Sequence, residues 1–104
     1  MEIKYITNNN TLTAKLYGEL DECSAEYVRI SLDTLLSDAN FVNDAKVVLD
    51  FSNVSFMDST GIGVLLGRYK KFSKRNISVL IANPQAHVDK ILKMSGIYKL
   101  IPLV

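Results

Sequence analysis

The spacing of hydrophobic positions switches repeatedly between strict alternation and a helical period. Ile3 and Tyr5 alternate with polar neighbours, which predicts a first strand, and Asn8-Asn9-Asn10 is a turn signal. Leu12, Ala14, Leu16 and Leu20 then alternate with Thr11, Thr13, Lys15, Tyr17 and Glu19. This is a half-buried strand, and the two strands read as a hairpin. Ser24, with Glu26 behind it, reads as the cap of a helix whose apolar stripe is Val28, Leu32, Leu35, Leu36 and Ala39. The run Lys46-Val47-Val48-Leu49-Asp50-Phe51 is nearly continuous and rich in β-branched residues. It reads as a strand buried on both faces, broken by the turn formers Ser52-Asn53 and followed by the apolar connector Val54-Ser55-Phe56-Met57.

From Ile62 the period becomes helical. Ile62, Leu65, Leu66, Tyr69 and Phe72 fall on one face, predicting a helix over about 60–75. Asp58, Ser59 and Thr60 sit at its start, where side-chain oxygens satisfy orphan amides. Lys70, Lys71, Lys74 and Arg75 crowd its end, where cations complement the dipole. Gly63 and Gly67 are placed to let this helix lie close to a sheet. Ile77–Ile81 reads as another strand, and Pro84 suits an early position in a helix faced by Val88, Ile91 and Leu92 and closed by Gly96. Leu100–Val104 reads as a last short strand or tail, its Pro102 marking an edge. The order β-β-α-β-α-β-α-β predicts a single α/β domain over 1–104. Its sheet is mixed, mostly parallel, opened by the N-terminal hairpin and covered by helices.

The chemistry concentrates where the strand unit meets the second helix. A hydroxyl at that joint, Ser59, can cap the helix, attack a carbonyl or accept a phosphate. As a cap it has equal rivals in Asp58 and Thr60. A phosphate there gains roughly 0.3–1 kcal/mol from the helix end. Asp58 opposes it: at about 6 Å and an effective dielectric of ~20, the repulsion is several kcal/mol before screening. Such a site carries a phosphate without unfolding, yet changes its surface strongly.

Catalytic motifs nearly fit and fail. Asp58-Ser59-Thr60-Gly61 resembles an aspartic-protease motif with one residue too many, and lacks a second carboxylate sharing a proton. The glycines from Gly61 to Gly67 miss the dinucleotide spacing by one residue. A serine triad would need His87, the sole histidine, and no Gly-x-Ser-x-Gly elbow surrounds Ser59. A nucleotide-binding protein or a Ser59-dependent hydrolase remains the alternative of a different class.

Composition narrows the field. The chain has 104 residues, 48% of them hydrophobic, which suits one modest core and argues against disorder. A net charge of +1 gives no strong field for direct nucleic-acid or membrane binding. Cys23 is alone, so there is no intrachain disulfide; with one histidine it builds no usual zinc cage, and the chain reads as cytoplasmic. There is no membrane-spanning apolar run, signal-peptide core, repeat or linker. Cys23 reads as a small, partly buried side chain without chemistry, His87 as a surface residue and Tyr69 as core-facing. Arg68, Lys70 and Lys71 read as solvated, with an acidic partner as the alternative.

Two segments resemble a known family. Gly18-Glu19-Leu20-Asp21 with Ser24-Ala25-Glu26 is similar to the first signature of the bacterial anti-sigma factor antagonists, whose fold is the STAS domain. Met57-Asp58-Ser59-Thr60-Gly61-Ile62-Gly63 resembles their phosphorylation segment. Gly67-Arg68-Tyr69-Lys70 and Met94–Ile101 resemble the sporulation subgroup, the anti-sigma F factor antagonists. The resemblance implies a regulator, not an enzyme, with no cofactor and no metal. Its unphosphorylated form would bind an ATP- or ADP-bound anti-sigma factor serine kinase and free the sigma factor. Phosphorylation of Ser59, in preference to Thr60, would release it, and a PP2C-type phosphatase would restore it. The implied docking surface is Asp21, Asp58, Ser59, Thr60 and Gly61, with Asp58 holding the loop that presents the hydroxyl. An antagonist of a general stress regulon is the variant reading. Glu22 and Cys23 stand where sporulation-type members often carry a histidine pair, and the chain stops at Val104 where many continue into a helix.

Overall fold

The alternating pattern at the N-terminus forms the hairpin it predicts. In the computed structural model, which describes residues 1–37 and 45–104, β1 (Glu2–Asn8) pairs antiparallel with β2 (Thr11–Leu20). Asn9, at φ 56°, takes the left-handed conformation of the turn. Helix α1 (Ala25–Thr34), extended by a 3₁₀ turn at Leu35–Ser37, crosses to β3 (Lys46–Met57), parallel to β2. Helix α2 (Ser59–Ser73) crosses to β4 (Ser78–Ala82), parallel to β3, and α3 (Ala86–Ser95) ends on Gly96 at φ 77°. Sheet order is β1-β2-β3-β4. The tail contributes one parallel bridge, Leu103 beside Ile81, with Pro102 at the edge. Of the expected first-helix stripe, Ala39 lies outside the described residues.

The strands bury one face, not two. Leu12, Ala14 and Leu16 of β2, Val47, Leu49 and Phe51 of β3, and Val79 and Ile81 of β4 sit in the core under the helices. Their alternates, among them Thr13, Lys15, Val48 and Leu80, are only half-covered on the open face. The continuous apolar run at 46–51 thus reflects β propensity at Val48 rather than burial on both sides.

Ser52-Asn53 does not end β3. The strand runs on to Met57, and the register with β2 shifts between Lys15 and Tyr17 and again between Gly18 and Glu19. Each shift places an extra β3 residue against β2, the first beside the turn former Ser52 and the second at Ser55, so the strand bulges twice instead of ending. The Asp50 carboxylate accepts the Ser52 amide at 2.9 Å across the first. Burial raises the Asp50 pKa, but hydrogen bonds from Ser52 and Asn83 and the charge of Lys15 more than offset it, leaving it lowered. β3 therefore overhangs β4, which pairs only as far as Asp50. Beyond that point α3 takes over: Gln85 Nε2 donates to Ser52 O at 3.0 Å, and His87 Nε2 lies 2.6 Å from Ser55 O.

Helix α2 is rotated from the face its sequence suggests. Gly61, Val64, Leu65, Arg68 and Phe72 are buried, while Ile62, Leu66 and Tyr69 are half-buried. Arg68 is not solvated: it is 4% exposed, and its Nε lies 2.7 Å from Asp33 Oδ1 of α1. The contact is a charge contact rather than an aligned hydrogen bond, since neither atom meets hydrogen-bond geometry. Lys71 holds the other Asp33 oxygen at 2.8 Å. The guanidinium is buried in this seam, so its charge is neutralised by a carboxylate instead of by water. Burial pushes its pKa down and Asp33 pushes back.

Candidate functional site

The extended backbone of Asp58, at φ −124° and ψ −170°, turns β3 into α2. Its Oδ1 accepts from Thr60 N at 2.9 Å and Gly61 N at 3.3 Å. Asp58 is therefore the N-cap, and it neutralises the helix end. Ser59 is the first helical residue rather than the cap. It is exposed, and its hydroxyl makes no hydrogen bond to any described residue.

A glycine fixes where this turn sits, but not one of the pair expected. A Cβ on Gly61 would lie 2.6 Å from Met57 Cγ and 2.9 Å from Leu20 O, whereas Gly63 and Gly67 face open space. The first turn of α2 thus rests directly on the ends of β2 and β3. Leu20 is paired with Met57, and Asp58 N points to Leu20 O at 3.4 Å.

The loop after β2 consequently emerges beside the one after β3. Asp21 Oδ1 accepts from Cys23 N at 3.0 Å and Ser24 N at 3.2 Å. Ser24 does not use its side chain as a helix cap. Its buried hydroxyl donates to Glu19 O at 2.7 Å and accepts from Asp21 N at 3.1 Å, tying the loop to the strand it leaves. Cys23 is exposed, not partly buried, because the Asp21 turn points it outward. A shallow depression of about 450 Å³ lies beside Asp21, walled by Glu19, Cys23 and Tyr27.

Asp21, Asp58, Ser59, Thr60 and Gly61 therefore gather at the C-terminal ends of the adjacent strands β2 and β3. His87 is exposed as expected, yet it clamps the stem of the Ser59 loop. The sequence reading treats Phe56 as a connector; it is 45% exposed, two residues before the cap. Alternation back from the buried Met57 is the signal that would have found it. Among the described residues no three metal-ligating side chains converge, and no helix is long and apolar enough to cross a membrane.

Such a site presents an exposed hydroxyl on a helix whose cap is already supplied by Asp58. The STAS domain model matches residues 2–104. The chain is 31% identical to an anti-sigma F factor antagonist of Paenibacillus polymyxa, over 99% of this chain and 86% of that one. It is 29% identical to an anti-sigma-B factor antagonist of Bacillus subtilis, covering 92% and 84% of the two chains. The solved structure of the anti-sigma factor antagonist SpoIIAA in its unphosphorylated form superposes with a TM-score of 0.79 at 27% identity, covering 99% of this chain and 88% of that one. The chain belongs to the STAS-domain anti-sigma factor antagonists. These are regulators rather than enzymes, which removes the hydrolase alternative.

Proposed function

We propose that this chain is a cytoplasmic phospho-switch acting on an anti-sigma factor that is itself a serine kinase. In the unphosphorylated form, the end of the sheet carrying Asp21, Asp58, Ser59, Thr60 and Gly61 binds the nucleotide-bound kinase and displaces a sigma factor. The kinase transfers a phosphoryl group from Mg-ATP to Ser59 Oγ, and a PP2C-type phosphatase removes it. One observation carries this reading: the Ser59 hydroxyl is exposed and uncommitted on a helix whose cap is already supplied by Asp58. The hydroxyl can be modified without removing a structural bond.

The same geometry supports rejection by charge. Asp58 already occupies the Thr60 and Gly61 amides, so phosphate on Ser59 adds charge beside a carboxylate. Moving α2 away would uncover Val64, Leu65 and Phe72, at roughly 1.5–3 kcal/mol for each large apolar side chain. A solvent-screened phosphate does not supply that, so the backbone stays and the docking surface changes. The sporulation sigma F system is the target we favour, on the resemblance of Gly67–Lys70 and Met94–Ile101. The 29% identity to a sigma-B antagonist makes the stress regulon the second reading.

Titration calorimetry of both forms against a sigma F-type and a sigma B-type anti-sigma kinase tests this. Phosphorylation is expected to weaken binding at least about a hundredfold, or ~2.7 kcal/mol. Equal affinity for the two forms overturns the switch, and tighter binding to the sigma B-type kinase selects the second reading.

A further inference from the structure

Among the described residues the outer edge of β1 is open, and its hydrogen-bonding pattern follows from the rest of the sheet. Lys46 N donates to Asn10 O at 2.8 Å, so Asn10 turns its backbone toward β3. Backbone groups alternate along a strand, so Leu12, Ala14 and Leu16 also face β3, while Thr11, Thr13, Lys15 and Tyr17 face β1. Their partners Asn8, Ile6, Lys4 and Glu2 are thereby satisfied. The amides and carbonyls of Ile3, Tyr5 and Thr7 point outward, away from β2, with no further strand beside them among the described residues. This edge runs 7 residues with neither a proline nor a bulge, and the charges it carries, Glu2 and Lys4, lie 3.9 Å apart and pair with each other. Beside it, Tyr5 is 41%, Tyr27 48% and Ile30 58% exposed, and the Tyr5 hydroxyl reaches Ser31 O of α1 at 3.4 Å. Tyr27 and Ile30 lie on one helical face next to that contact.

We infer that a second copy of this chain pairs with β1, antiparallel and about a two-fold axis through Tyr5. The register selects the occupant. Centring on Tyr5 sets Ile3 against Thr7′ and Tyr5 against Tyr5′, the prime marking the second copy, so every outward amide and carbonyl of those residues finds its mate. It also lays Ile6 along the aliphatic stem of Lys4′ and puts Glu2 opposite Asn8′, with no like charges directly opposed. A register centred on Lys4 opposes two lysines, and one centred on Ile6 leaves Ile3 unpaired. In the favoured register the two Tyr5 rings meet between the Tyr27–Ile30 faces of the two α1 helices, covering apolar surface that the single copy leaves wet. A net charge of only +1 does little to keep copies apart. The edge lies on the far side of β2 from β3, so pairing leaves the Ser59 loop free.

Amide hydrogen exchange on the unmodified chain gives the first readout. Between micromolar and millimolar concentration, the Ile3, Tyr5 and Thr7 amides should slow at least about tenfold, while Lys4 and Ile6 remain protected throughout. Disulfide trapping in a Cys23→Ser background gives the register. Tyr5→Cys should cross-link to itself, and Lys4→Cys should cross-link to Ile6→Cys in a mixture. The Cα separations of about 5.5 and 4.5 Å fall within disulfide reach. Concentration-independent exchange overturns the inference. So does preferential self-linking of Lys4→Cys or Ile6→Cys, or protection of the odd-numbered amides only when a kinase is added.

Discussion

Two loops at the same end of the sheet use one device and reach opposite outcomes. After β2, Asp21 Oδ1 gathers the amides of Cys23 and Ser24; after β3, Asp58 Oδ1 gathers those of Thr60 and Gly61. Each aspartate has a serine nearby. Ser24 is buried and bonded both ways, whereas Ser59 is exposed and bonded to nothing described. The difference lies in what each aspartate leaves for its serine to do. Behind Asp21 the chain must still be tied to β2, and Ser24 supplies the knot. Behind Asp58, Gly61 already seats the turn against Leu20 and Met57, so Ser59 is left over. A serine released from structure is the one available for modification.

The largest expected effect tests that division. With a cognate kinase and Mg-ATP, intact mass should show one phosphate on the native chain and on Ser24→Ala, and none on Ser59→Ala. Phosphate at Thr60 with Ser59 bare would break the comparison. The seam that holds the two loops in register comes next. The first loop leads into α1 and the second into α2, and Asp33–Arg68 joins those helices. Arg68→Ala leaves Asp33 with Lys71 alone and should cost about 1–3 kcal/mol in denaturant unfolding. A loss below about 1 kcal/mol would show that Lys71 alone holds the carboxylate.

Stability should also divide the serines. Ser24→Ala leaves Glu19 O and Asp21 N short of a partner and is expected to cost about 1–3 kcal/mol. Ser59→Ala should stay within ~0.5 kcal/mol. Equal losses would mean that Ser59 carries structure after all. The glycines sharpen the point. Gly61→Ala should lose about 1–3 kcal/mol through contact with Leu20 and Met57. Gly63→Ala, facing open space, should gain up to ~1 kcal/mol from helix propensity. The cap falls between these: Asp58→Ala is expected to cost about 0.5–2 kcal/mol by thermal or denaturant unfolding.

The hairpin, the crossovers and the start of α2 were legible because each is written in local periodicity and turn chemistry. What escaped depended on neighbours far along the chain. Nothing near Ser52-Asn53 says that β2 will absorb the extra residues as bulges. Arg68 is basic among basic residues, and only Asp33, brought over by the α1–α2 packing, makes its burial tolerable. Gly61 looks less like a packing glycine than the spaced pair Gly63 and Gly67 until Leu20 is set beneath it. The site residues were read from motif resemblance, but which serine is free is a three-dimensional fact. Ser24, Ser59, Asp21 and Asp58 are all plausible caps on paper, and the hydrogen bonds sort them.

The overhang of β3 past β4 gives the Ser59 loop an unusual mounting. Up to Asp50 the strand is gripped by neighbours on both sides; beyond it, one side is held by β2 and the other by the side chains of Gln85, just before α3, and His87 of α3. The strand is thus a cantilever, fixed at its root and braced near its tip by Gln85 and His87. Val54 and Met57 weight it down into the core, so it does not swing freely. Its opening is nonetheless cheaper than that of its root, because fewer backbone bonds break with it. Loosening the first turn of α3 would be felt at the tip before the rest of the sheet, and the tip is where Asp58 and Ser59 stand.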